Sequence, residues 1–585
     1  MRLLKILSLL LALPFLLESC EEMLAPENDN HSTIERIYKD PAYAEGLLMT
    51  AYTKIPTNSM TYVDVATDDA VTNDKLSSYL RMATGQWSAL YNPVSQWTNC
   101  NSAILYLNNF IGIIDTVTWK WSNSTINDMF IRRFKGESYA LRGLFEYNLL
   151  VSVAGKGPDG TMLGIPIYTT PMKSDDNFNV PRATFAQSIE QIYADFDKAL
   201  QYLTDDYLDI KVASNLPADF AGVDVADYNT VFGSLNNQRI SGRIVKALKA
   251  RVALLAASPA FANDDVALWE KAANFAGTSL NGIGGISGLD PNGNKFYDAT
   301  RVDAIKLASG IDQKEIIWRR AIASSNSREK SNFPPSLYGS GYVNPTQNLV
   351  DAFPSANGYP ITSTSSLYDP ANPYANRDPR LALYIVYNGN KVSNKVITTG
   401  VGGGNDAKDS ISSSTRTGYY MKKLLREDVN VNPASTTSKN HYEVHMRYTE
   451  LFLIYAEAAN RAWGPDGKGT FAFSARDVIA AIRKRAGIAQ PDKYLASITA
   501  KEDMEQLIRN ERRIELCFEG FRFWDLRRWN EDLTKTAQGV NISSAHAYTV
   551  VDVEKRMYDN DYMRFGPLPQ SECLKYDALI QNKGW

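Results

Sequence analysis

The strongest constraint on this chain is a helical periodicity that recurs in several places. Leu451, Ile454, Tyr455, Ala458, Ala459 and Ala462 fall at offsets of 0, 3, 4, 7, 8 and 11, which lines them along one helix face. Ile244, Ala247, Leu248, Val252 and Leu255 repeat the pattern, with Arg239, Arg243, Lys246 and Lys249 on the other side. Leu141, Leu144, Phe145 and Leu149 make a third stripe. Ile189, Ile192, Phe196 and Leu200 make a fourth, and Thr184 stands before it in N-cap position. Small residues (Ala250, Ala253, Ala256 and Ala257; Ala456, Ala458 and Ala459) occupy places where helices would approach closely. The pattern predicts a mainly α chain built from helix pairs, although no strict sequence period marks a repeat. Three long irregular stretches interrupt the helices: Gly282 to Gly310, Ser324 to Asn376 and Val392 to Ser414. Loops of that length are usually functional or disordered, and the aromatic content of the second argues for order.

Composition excludes several classes. With 585 residues, 44% hydrophobic and 22% charged, the bulk is neither disordered nor fibrous, and length alone allows about four domains. The net charge of −3 supplies no bulk positive field for a nucleic acid. The 32 tyrosines and 10 tryptophans suit stacking on sugar faces as well as filling a core.

Arg2 and Lys5 precede an apolar run from Ile6 to Leu17 that is too short to span a bilayer. Leu17-Glu18-Ser19-Cys20 resembles a bacterial lipoprotein box, with Glu18 in place of the usual small residue. On that reading residues 1–19 are a signal peptide, Cys20 is the lipidated residue and residues 20–32 are a tether. Glu21-Glu22 resembles a surface-export signal of Bacteroidetes-type bacteria. The remaining Cys100, Cys517 and Cys573 are odd in number and irregular in spacing, so they form no disulfide framework.

The C-terminal half is more specific. Arg447-Tyr448-Thr449-Glu450-Leu451 running on to Tyr455-Ala456-Glu457-Ala458, Ile482-Arg483-Lys484-Arg485-Ala486-Gly487, and the block from Asn510 to Trp529 (NERRIELCFEGFRFWDLRRW) resemble three motifs of the SusD/RagB family. Gly136 to Arg142, Gly242 to Lys246, Glu315 to Trp318, Arg377-Asp378-Pro379-Arg380 and the closing Gln581-Asn582-Lys583-Gly584-Trp585 match in family order, with Lys583 replacing a common proline. The resemblance spans nearly the whole mature chain. It implies a SusD-like fold, in which tetratricopeptide-like helix pairs support an irregular, loop-rich ligand-binding half with few short strands. Residues 33–280 would form the helical part and 281–585 the SusD/RagB part, packed as one unit. It further implies a non-enzymatic glycan-binding lipoprotein without cofactor. Such a protein sits on the outer membrane, faces the cell exterior and caps a SusC-like TonB-dependent transporter. A peptide-binding RagB-like receptor and a surface glycan hydrolase are the alternatives.

Among the motif residues, Leu507, Ile514, Cys517 and Phe518 share one helical face with Glu511. A carboxylate there must be paired, since burying it alone costs several kcal/mol, of order ~3–5. Arg522, Arg527 and Arg528 follow closely and are the expected partners, which makes Glu511, Arg512, Glu519, Arg522, Asp525, Arg527 and Arg528 a structural cluster. His441, Glu443 and His445 alternate, but without a zinc-protease spacing. Asp290, Asn292 and Asn294 open like a calcium loop, yet Lys295 and Arg301 stand where that loop needs Gly and Glu. Gly282 to Gly288 lacks the third glycine of a dinucleotide fingerprint. No metal is expected. Ligand contacts are expected in two loops, Asp68 to Trp97 and Phe333 to Tyr359. The candidates are Asn73, Asp74, Tyr79, Arg81, Trp87, Tyr338 and Tyr342, whereas Trp97 and Trp318 read as core.

Overall fold

The computed structural model describes residues 39–56, 62–173, 175–306 and 312–585. The segments expected to be signal peptide and tether, with Cys20, lie outside the described residues. Among the described residues the fold is 45% helical, with few short strands and no closed sheet, and the helical class is the one the periodicity predicts.

Eleven helices of seven or more residues occur among the described residues: α1 (Pro41–Thr53), α2 (Trp97–Ile113), α3 (Ser124–Val153), α4 (Phe185–Tyr202), α5 (Val225–Phe232), α6 (Gly242–Ala257), α7 (Val266–Asn281), α8 (Tyr448–Trp463), α9 (Ala475–Ala486), α10 (Lys501–Glu515) and α11 (Arg522–Arg528). They pack mainly as neighbours in sequence: α1 on α2, α3 on α4, α6 on α7 and α8 on α9. Local signals set their ends. Thr184 and Gln187 form the capping box that starts α4, Ser474 and Asp477 form the one that starts α9, and Gly487 ends α9 at φ 92°. Close approach of α3 and α4 depends on glycine, because a Cβ at Gly143 would lie 2.8 Å from the Phe196 ring.

Strands of three or more residues are β1 (Ala70–Thr72), β2 (Ile316–Arg319), β3 (Ala323–Ser325), β4 (Val343–Pro345), β5 (Lys439–His441), β6 (Val444–Arg447), β7 (Ala537–Ile542) and β8 (Tyr548–Glu554). All pair as isolated antiparallel ribbons: β1 with β4, β2 with β6, β3 with β5 and β7 with β8. They staple the long loops together rather than forming a layer.

The stripe from Leu451 to Ala462 lies on α8, where burial extends beyond the stripe: every residue from Tyr448 to Asn460 is buried. α8 is central: α7, α9 and α10 pack around it, and the largest apolar cluster runs from Ala44 to Leu579 through it. Its two glutamates are therefore buried as well. Glu450 accepts from Arg251 Nε at 2.8 Å, and Glu457 accepts from Arg528 Nη1 at 2.6 Å and from Trp529 Nε1 at 2.7 Å.

A correction concerns Glu511. Its carboxylate is fully buried and paired, but not with the arginines that follow it. Arg380 Nη2 and Arg483 Nη1 each donate to it at 2.9 Å. The helix stops at Glu515, and the chain reverses through Phe518 (φ 62°) and Gly520 (φ 79°). That reversal carries the later arginines elsewhere. Arg522 grips Asp68 at 2.8 and 2.9 Å, Arg528 takes Glu457 and Asp525, and Arg527 stacks on the Phe523 ring at 3.5 Å. The network continues along α10. Glu515 accepts from Arg380 and Arg485, while Glu519 accepts from Arg447 and Lys423.

Burial pushes the Glu515 carboxyl up, but Arg485, Arg447 and Arg380 outweigh it and hold it at about 2, below its ordinary 4.5. Glu457 is likewise held at about 2, where Arg528 overcomes the cost of burial. Both values are depressed in the fold. Their stabilisation is therefore complete above the unfolded value of 4.5 and is lost as pH falls from there towards 2. The urea midpoint should drop across that window. At pH 7, Glu511→Ala should cost about 3–5 kcal/mol, because Arg380 and Arg483 lose a shared buried carboxylate and keep only Asp378, Glu515 and Asp492. Urea titration at pH 7 and within that acidic window checks this. An unchanged midpoint in the variant would show that the network does not carry the fold.

Candidate ligand-binding site

The two loops singled out in the sequence are far apart along the chain, and the β1–β4 ribbon joins them. Ala70 faces Pro345, Val71 faces Asn344 and Thr72 faces Val343. Thr346 locks the start of the ribbon: its amide donates to the Asp69 carbonyl at 2.9 Å and its hydroxyl to the Asp68 carbonyl at 2.6 Å. The Asp68 side chain is tied to Arg522 and Arg513. Burial raises its carboxyl, and these two arginines more than reverse that, holding it well below the usual range. The ribbon thus rests on the buried ionic network through α10 and α11.

Beyond the ribbon, Asn73 Nδ2 donates to the carbonyls of Ser340 and Gly341, each at 2.9 Å, which draws the second loop against the first. Tyr342 Oη and Ser77 Oγ lie 2.9 Å apart, and the Tyr342 ring is 5.5 Å from the ring of Tyr62. Tyr79 is half-buried close by, and burial pushes its phenol up, with Tyr342 adding to the rise. Asp74 Oδ1 accepts from the Leu76 amide at 2.9 Å, and its charge helps to raise the Tyr342 phenol beyond what burial does. Tyr338 is 57% exposed and sits at φ 63° on the tip of the second loop. Asn73, Asp74, Tyr79 and Tyr342, with Tyr338 on the loop tip, therefore line one stretch of surface. Its rings, hydroxyls, amide and carboxylate are the groups that stack on and hydrogen-bond to a polyhydroxylated ligand.

Two further candidates are Arg81 and Trp87. Arg81 is half-buried at the end of the short helix Ser78–Arg81. Trp87 is only 4% exposed. Its ring packs edge-on against Trp585, Phe523 and Tyr558, the Arg527 guanidinium lies 5.0 Å from it, and its Nε1 donates to Asn92 at 3.0 Å. A ring with no free face offers nothing to stack on, so Trp87 is a core residue in this structure. Trp97 and Trp318 are buried, at 7% and 4% exposure. Tyr359 leaves the group to pack against Tyr494.

Three neighbours were not singled out in the sequence. Tyr62 holds Asn332 at 3.0 Å, Ser77 holds Tyr342, and Arg416 donates to the Thr72 carbonyl at 2.9 Å while pairing with Glu554. Arg416 comes from a loop more than 300 positions away, which no local pattern connects to Thr72. His441 and His445 do not converge as a metal set. His441 Nε2 meets Glu329 at 2.8 Å, while His445 lies against Trp318, and burial, with Arg320 and Arg251 nearby, pushes it down to about 3. Among the described residues no three His, Cys, Asp or Glu side chains group as metal ligands. Cys100, Cys517 and Cys573 are free thiols.

Comparison with known proteins agrees with this architecture. Residues 314–585 match a family model described as the SusD family, and residues 24–222 match one described as starch-binding associating with outer membrane. The SusD-like protein P38 of Formosa agariphila is 24% identical over 533 residues, covering 88% of this chain and 89% of its own. A SusD-like protein of Bacteroides fragilis has the same fold, with a TM-score of 0.71 at 22% identity over 96% of this chain and 100% of that one. A laminarin-binding SusD-like protein superposes with a TM-score of 0.57 at 18% identity, covering 94% and 100%. Two matched family segments at opposite ends, joined by a helical core of the same architecture, place this chain in the SusD/RagB family.

Proposed function

We propose that this protein is a cell-surface glycan receptor that delivers its ligand to a SusC-like TonB-dependent transporter. The observation that carries the reading is the β1–β4 ribbon, which sets Tyr79 and Tyr342 beside Asn73, Asp74 and Ser77 on a rigid base. Aromatic faces with fixed polar neighbours suit sugar rings, and the laminarin-binding relative with the same fold supports a polysaccharide ligand. Binding of this kind breaks no bond and needs no cofactor. Lipidation at Cys20 anchors the chain to the outer membrane with its loops facing outward.

Calorimetry against laminarin and a panel of plant, fungal and host glycans should give saturable binding to one class, with no reducing ends released. Peptide binding without glycan binding overturns the ligand class, and released reducing ends overturn the non-enzymatic reading. Tyr338→Ala with Tyr342→Ala should weaken binding by about 1–3 kcal/mol, in the range of other aromatic stacking platforms. Trp87→Ala should instead lower stability by about 3–5 kcal/mol, as for a buried tryptophan. Cys20→Ala should release the protein from the membrane fraction, and retention there would count against lipid anchoring.

A further inference from the structure

A cavity of about 110 Å³ lies away from the tyrosine surface, between α3 and α6 on one side and α10 and α11 on the other. Its charge is unbalanced. Arg251, Arg512, Arg527, Arg528 and Arg564 line it; Glu450 and Asp525 in the wall and Glu457 behind Arg528 face the first four, while Glu531, Asp532 and Asp561 surround Arg564. With Arg564 balanced by its own carboxylates, four guanidinium groups against three carboxylates leave one positive charge in excess. His445, also in the wall, adds no charge at neutral pH, since burial pushes it down to about 3. Tyr147 adds none either, since burial pushes its phenol up to about 12.

The excess is localised. Arg251 is bidentate to Glu450, and Arg528 is shared between Glu457 and Asp525. Arg512 gives only Nε to Asp525, at 2.8 Å, and its Nη1 is buried without a partner. Arg527 has no carboxylate. Its Nη1 donates to the Phe523 carbonyl at 3.0 Å, and the Tyr558 hydroxyl and the rings of Trp87, Phe523 and Tyr558 lie close to the guanidinium, while Nε and Nη2 make no close hydrogen bond. Burial accordingly pushes Arg527 down to about 10. Arg564 donates to the Glu531 carbonyl. Water filling the cavity would accept these hydrogen bonds but leave the charge uncompensated, and a buried uncompensated charge costs several kcal/mol, of order ~3–5. Apart from Asn148, much of the rest of the wall is apolar, from Leu144, Val151, Leu254, Leu255 and Phe261. A cavity of about 150 Å³ holds benzene, so this one fits about four to six heavy atoms.

We infer that this cavity is a binding site for a short-chain organic carboxylate, of acetate to butyrate size. Its oxygens take the free guanidinium hydrogens of Arg512 and Arg527, and its alkyl end lies against the leucines. The site draws its wall from both the early helices and the C-terminal block, so occupancy ties the two together and stabilises the fold by mass action.

The test is thermal unfolding and calorimetry of the full mature chain with sodium propionate. Sodium chloride at equal ionic strength, inorganic phosphate and 1-propanol, the neutral analogue, serve as controls. Propionate should bind saturably with one site and raise the melting temperature by several degrees, while propanol should not. Equal effects from chloride or phosphate would reduce the site to a general anion hole and overturn the carboxylate assignment, as would absence of propionate binding. Arg527→Gln should weaken propionate at least tenfold. If that variant does not fold, Arg564→Gln at the rim, expected to weaken it severalfold, and the propanol comparison on the unaltered protein still decide the matter.

Discussion

The buried pairing of arginines with carboxylates along α10 is the interaction on which the rest of the structure depends. Glu511, Glu515 and Glu519 project from that helix and the reversal after it, and each takes two or more cations from segments that are distant in sequence. No one of these pairs is strong evidence of stability by itself, because desolvation opposes the Coulomb gain. Together they fix direction. Arg380 brings in the loop-rich half, Arg483 brings in α9, and Arg447 brings in β6 at the foot of α8. A helix that carried leucines at these positions would bury as much area without selecting which loops come to it.

The same network explains why a ligand surface assembled from loops can be rigid. Asp68 and Asp69 are gripped by Arg522 and Arg513, and the β1–β4 ribbon starts at the next residue. Side chains past the ribbon inherit that fixed position. The network does not close completely, however. At its edge, Arg512 and Arg527 keep unsatisfied hydrogen-bond donors that face a cavity, and the charge imbalance there follows from placing consecutive arginines on one short helix.

Much of this was legible in the sequence. The stripes of α3, α4, α6 and α8 and the N-cap at Thr184 depend on local spacing and local hydrogen bonds, which a linear reading resolves. That Glu511 is buried and paired followed from its place on an apolar face. Which arginines pair with it did not, because the turn at Phe518 and Gly520 redirects Arg522, Arg527 and Arg528 by backbone geometry that no side-chain pattern announces. The burial of Trp87 was not legible either, because its partners Trp585, Phe523 and Tyr558 come from the far end of the chain.

The sequence by itself determined the helical class, the family and the two loops that carry the candidate ligand surface, because periodicity, capping and motif blocks are local properties. Only the tertiary structure decided that those loops meet, that Tyr342 and Tyr79 share a surface while Trp87 is withdrawn from it, and that two arginines of the family motif face a cavity. The physical reason is common to all three. Exposure and charge balance are sums over every neighbour in space, and here most of those neighbours lie hundreds of residues away.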